Sequence, residues 1–115
     1  MTILAEEWQV LSFFEVEPTV LDEDVPWPYN NYLFEIEKDD VSLSCALEPA
    51  CQDVRLIVKR GDIRLYELNA VGVKDVRYWE QGAIELLEIV LSEGHVVRLR
   101  VKPNFEISHE SSSET

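Results

Sequence analysis

The sequence predicts an all-β domain, an antiparallel β-sandwich or barrel of about seven or eight strands built from hairpins. Three observations carry this. Apolar and polar residues alternate with period two through most of the segments between Tyr32 and Val101. Turn residues interrupt the alternation at Lys38-Asp39, Arg60-Gly61 and Ser92-Glu93-Gly94. Such half-buried strands must cover their apolar faces, which calls for two packed layers or a closed barrel. The alternative is an α+β domain with a short N-terminal helix.

The first segment, Thr2 to Val16, fits both periods. Leu4, Trp8 and Leu11 have helical spacing, whereas Trp8, Val10, Phe14 and Val16 alternate. The preference of Trp, Val and Phe for a pleated surface favours a strand from about Trp8 to Glu17, ended by Pro18 and preceded at most by a helical turn. Glu17 to Asn31 carries three prolines and a run of acids, so it reads as an extended loop. Its Asp22, Glu23 and Asp24, with Trp27 and Tyr29, are the candidate partner-binding residues. The competing reading has Trp27 and Tyr29 folding back to cap the core.

A hairpin follows, with Tyr32, Phe34 and Ile36 on one face, and Val41, Leu43, Cys45 and Leu47 continuing it beyond Lys38-Asp39. Ser42, Ser44 and Ala46 leave the other face flat, open to a further layer. A third hairpin is expected about Arg60-Gly61, setting Val58 against Ile63, Leu56 against Leu65 and Lys59 against Asp62. Its turn spells Arg-Gly-Asp, a tripeptide recognised in adhesive proteins; glycine between charges is also what a hairpin turn requires. A short strand is expected around Val76 to Trp79.

The best-specified stretch is Ala83–Ile107. Val97, Leu99 and Val101 alternate with Arg98, Arg100 and Lys102, and a three-residue loop with left-handed Gly94 aligns the apolar sets. It predicts the pairs Ile89 with Val97, Leu87 with Leu99 and Glu88 with Arg98. A helix over Ala83–Glu93 closed by Gly94 is the alternative. Phe105 and Ile107 offer a last edge segment, so the domain is taken as residues 1–107, and 108–115 as a disordered polar tail.

With 115 residues the chain can bury a core without metals or disulfides. No apolar run approaches a membrane span, and the N-terminus lacks the pattern of an export signal, so a soluble, cytoplasmic protein with Cys45 and Cys51 reduced is expected. Cys45 is expected to be buried.

Charge is the least ordinary property. Of the net −13, residues 1–53 contribute −12, from thirteen Asp and Glu against Lys38 alone, and residues 54–115 contribute −1. That balance argues against direct nucleic-acid binding and for a basic protein partner. It is also how a solvated acidic face looks. Arg98, Arg100 and Lys102, with Arg55, Lys59 and Arg64, are the bases available to neutralise the acidic half from within.

Chemistry is sparse. His95 and His109 are not placed for a triad, the carboxylate pairs resemble solvated strand faces, and Asp22-Glu23-Asp24 and Asp39-Asp40 lack calcium-loop spacing. No catalytic residue, metal ligand or cofactor is assigned. The expected function is a non-catalytic protein-interaction module for a basic partner; toxin-neutralising proteins are one class that works this way. The alternatives are a small-ligand barrel lined by Tyr32, Phe34, Cys45, Tyr66 and Trp79, and a homo-oligomer built on an edge strand.

Overall fold

The computed structural model describes residues 6–102 and 104–111. It is an all-β sandwich with one short helix. A five-stranded antiparallel sheet holds β1 (Thr19–Val20), β2 (Tyr32–Lys38), β3 (Val41–Glu48), β4 (Asp53–Arg60) and β5 (Ile63–Ala70) in chain order. A four-stranded sheet holds β6 (Asp75–Gln81), β7 (Ile84–Ser92), β8 (His95–Arg100) and β9 (Glu106–Ser111), again in chain order. Each sheet is thus a meander, and residues 71–74 join the two. That link is pinned to the β3–β4 turn. The Val73 amide donates to the Gln52 carbonyl at 2.7 Å, Gln52 Nε2 returns a bond to the Val73 carbonyl at 2.9 Å, and the Gly72 amide reaches Asp53 Oδ1 at 3.0 Å.

The inner faces meet as the alternation requires. Phe34, Leu43, Cys45, Leu47 and Leu56 of the first sheet bury against Val76, Leu87, Ile89, Val97 and Leu99 of the second. This space is filled with side chains. The small void beside Leu47, Val54, Val73 and Val76 admits no water-sized sphere. Tyr32, Phe34 and Cys45 are core residues, Tyr66 is half-buried, and Trp79 lies 53% exposed, so these five do not line a ligand barrel. Burial pushes the Cys45 thiol up to about 12, leaving it an inert apolar filler; Cys51 is a free, exposed thiol.

The opening segment is a helix, α1 (Glu7–Phe14), where a strand over Trp8–Glu17 was expected. Val10, Phe13 and Phe14, at helical spacing, are the residues it buries, and they close one end of the sandwich. Phe14 stacks on Phe34 at 4.6 Å between ring centroids. Glu6 and Gln9 form a capping box, the Glu6 amide donating to Gln9 Oε1 at 2.8 Å, and Glu15 ends the helix in the left-handed conformation (φ 56°). Trp8 stays largely outside, 61% exposed.

The β7–β8 hairpin has the expected pairs: Ile89 with Val97, Leu87 with Leu99, Glu88 with Arg98. Gly94 is left-handed (φ 81°), and the extra residue, Leu91, falls at an irregularity between Val90 and Ser92. The other two turns differ from expectation by one residue. The β2–β3 loop is Asp39-Asp40, both left-handed (φ 48° and 70°), with Lys38 paired to Val41. The β4–β5 loop is Gly61-Asp62, with Arg60 paired to Ile63 and Lys59 to Arg64. A bulge then restores the alignment, so Val58 pairs with Tyr66 and Leu56 with Leu68. This register puts Tyr66 and Leu68 against the core and leaves Ile63 and Leu65 at 65% and 53% exposure.

Ser108–Ser111, expected to begin a disordered tail, run in β9. The strand satisfies the open edge of β8 and supplies carboxylates to its arginines: Glu110 to Arg98 and, at 3.5 Å, Glu106 to Arg100. It also brings His109 beside His95, with ring centroids 6.4 Å apart on the surface. The tail expected over residues 112–115 lies outside the described residues.

Candidate functional site

The loop between β1 and β2 is held by Asn30, a buried residue that the sequence did not mark. Its Nδ2 donates to the carbonyls of Asp22 (2.5 Å) and Val25 (3.0 Å), and its Oδ1 accepts from the amides of Asp22 (3.3 Å) and Asn31 (2.8 Å). Asp22 in turn accepts the Asp24 amide at 3.0 Å, an Asx turn. Asp22, Glu23 and Asp24 therefore project from a fixed bend into solvent.

The two aromatic candidates separate. Trp27, in a 3-10 turn over Trp27–Tyr29, lies half-buried with its ring centroid 4.7 Å from that of Tyr32, capping the core. Tyr29 stands 72% exposed. Leu21, 75% exposed, is a neighbour that the sequence did not single out.

Beside this loop the outer face of the first sheet is hollow. Along β3 the outward residues are Ser42, Ser44 and Ala46, all small, while their cross-strand partners are larger. On the β2 side stand Leu33, Glu35 and Glu37, and on the β4 side Arg55, Ile57 and Lys59. Two depressions result, of about 470 Å³ and 480 Å³. They share Ser44 and Ile57, so they form one trough along β3. Its loop end is mainly apolar, with Leu21, Leu33, Ala46 and Ile57, but Glu48 and Arg55 also line it, and its far end is framed by Glu35, Glu37 and Lys59.

Among the described residues, five arginines of the second half are engaged with acids of that same half. Arg55 and Arg64 pair with Glu67, Arg77 with Asp75 and Glu88, Arg98 with Glu88 and Glu110, and Arg100 with Glu106. Each of these bonds stays within the second half of the chain. Lys102 alone of the bases expected to neutralise the first half reaches across among the described residues, to Glu15 at 3.1 Å. The acids around the trough and its loop, namely Asp22, Glu23, Asp24, Glu35 and Glu37, face water.

The outer face of the second sheet is different in kind. There Glu88, 7% exposed, lies between Arg98 (3.0 Å) and Arg77 (3.7 Å) and accepts from Trp79 Nε1 at 3.3 Å. Charge on that face is internally satisfied.

No family model matches the sequence, and no curated protein matches it. Among solved structures, a chain of a contact-dependent growth inhibition toxin and immunity protein complex from Klebsiella pneumoniae 342 is similar. The TM-score is 0.77 at 17% identity, over 97% of this chain and 100% of that one. At that identity the likeness is one of fold. Among the described residues no helix is long and apolar enough to cross a membrane.

Proposed function

We propose that this protein is a non-catalytic binding module of the immunity type, which neutralises a basic toxin domain by covering it with the acidic face formed by the β1–β2 loop and the outer side of the first sheet. One observation carries the reading: five arginines, Arg55, Arg64, Arg77, Arg98 and Arg100, are bonded to acids of their own half, and Lys102 engages only Glu15 of the first, so most of the first half's negative charge remains available to a partner. The filled core supports it, because it leaves function to the surface. The toxin and immunity protein complex with this fold supports it too, since of the two roles named there, covering a partner needs only a surface. On this reading the protein works in the cytoplasm with both thiols reduced.

The test is binding and protection together. Purified protein is titrated with toxin domains of the contact-dependent type, and its gene is co-expressed with each of them in a growth assay. The expected result is protection against a basic domain, with affinity falling about tenfold or more as ionic strength rises from ~0.05 to ~0.3 M. Asp22→Asn, Glu23→Gln and Asp24→Asn together should weaken binding through slower association. Domains bound without regard to their charge, or binding indifferent to salt, would overturn the proposal.

A further inference from the structure

The trough along β3 has the dimensions of a particular object. Neighbouring strands lie about 4.8 Å apart, so the β2 and β4 axes lie roughly 10 Å apart. A helix of about that diameter set over β3 rests its flanks on the side chains of both, while its own central side chains enter the hollow. From Ser42 to Glu48 the floor runs about 20 Å, the length of roughly 13 helical residues. The floor is missing side chains along its midline, because Ser42, Ser44 and Ala46 all point outward there.

We propose that this trough receives an amphipathic α-helix of the partner, laid along β3. The inference rests on the functional reading above and specifies its contact. An extended segment fits the site poorly: set on the face of a sheet rather than at its edge, it would leave its amides and carbonyls without partners against Leu33, Ala46 and Ile57. A helix satisfies those groups internally. The walls define its sides. Its apolar stripe faces Leu21, Leu33, Ala46 and Ile57, its basic flank lies along Glu35 and Glu37 on the β2 wall, and its acidic flank meets Arg55 and Lys59 on the β4 wall. The binding helix is therefore polar across its width as well as amphipathic, and it enters in one direction only.

Filling the trough tests this without disturbing the core. Ala46→Trp and Ser44→Phe place rings on outward strand positions, where aromatic residues are well tolerated. Their melting temperatures should match the parent's. Affinity for the neutralised toxin domain should fall about a hundredfold or more, as for occlusion of a central contact. Glu35→Lys with Glu37→Lys should weaken binding similarly, and exchange of lysines for glutamates on the partner's helix should restore it. Hydrogen exchange of the bound toxin domain should show protection gained on one stretch at spacings of three and four residues. If the filled variants bind as the parent does while the Asp22, Glu23 and Asp24 variant is weakened, the helix inference falls and the functional reading stands. Protection gained in alternation along a segment would replace the helix with a strand and overturn the inference. If the parent protein binds no toxin domain, both fall together.

Discussion

The Lys102 ammonium lies 2.7 Å from the Glu85 carboxylate of β7, which anchors it at the second sheet. Lys102 also reaches Glu15, the residue that ends α1, at 3.1 Å, and Tyr78 donates to Glu85 from the other side at 2.5 Å. Burial works to raise Glu85, but the bonds from Lys102 and Tyr78 outweigh it and hold the carboxyl below its ordinary value. Glu85, with Glu15, holds Lys102 above its own. Tyr78 is pushed up to about 12, by burial first and then by Glu85.

The sign of the pH dependence follows. A depressed carboxylate contributes stability above its unfolded pKa of about 4.3, and loses it as pH falls through the folded value. The raised Lys102 and Tyr78 contribute below about 10.4 and 10, and lose it as pH rises through their folded values. Lys102→Ala should therefore cost about 0.5–1 kcal/mol at neutral pH, the part-exposed lysine keeping it small, and progressively less below pH ~4 and above pH ~10.5. Urea unfolding of both proteins across pH measures the difference; a constant gap would refute the linkage.

Glu88 predicts an inequality between two arginines. Removal of Arg98 leaves a nearly buried carboxylate with only Arg77, at 3.7 Å, and Trp79 beside it, whereas removal of Arg100 frees an exposed Glu106 and the Lys102 carbonyl, to which Arg100 donates at 2.9 Å. Arg98→Ala should cost about 2–3 kcal/mol and Arg100→Ala about 0.5–1 kcal/mol in denaturant titrations. Equal costs would mean that the Glu88 cluster contributes nothing beyond surface charge.

Asn30 should behave as a clamp. Asn30→Ala removes its four side-chain hydrogen bonds at a buried position, at a cost of about 2–3 kcal/mol, and amide exchange should quicken over residues 21–31 more than in β3 or β8. A loss spread evenly over the molecule would deny the clamp.

The Asp39-Asp40 turn sets two like charges side by side in left-handed backbone. Asp39→Asn with Asp40→Gly places the residues such a turn prefers and should raise stability by about 0.5–1 kcal/mol, read as a higher melting temperature.

These features differ in how far the sequence disclosed them. The β7–β8 register was legible because two apolar sets, Leu87 with Ile89 and Val97 with Leu99, match in only one alignment. The β4–β5 register was not, because Ile63 and Leu65 alternate as well as Tyr66 and Leu68 do, and the bulge that selects the second set leaves no mark in composition. Eight residues at α1 satisfied both periods; the Glu6 and Gln9 spacing was the overlooked sign of a helix start. At the candidate site, Ser42, Ser44 and Ala46 already marked a flat strand face. That the face is a walled trough depends on which side chains stand opposite, hence on two registers at once. Trp27 and Tyr29 were indistinguishable as aromatics in an acidic loop until Asn30 fixed the bend that turns one inward.

The meander of each sheet has a consequence in time. Among the described residues every strand pairing joins a strand to the next one along the chain, so each pair closes over a short span. Loop-closure entropy is then lost in small increments, and β2, β3, β4 and β5 can zip in the order in which they leave the ribosome. The acidic sheet can therefore mature ahead of the second one that backs it, a sequence of events written into the order of its strands.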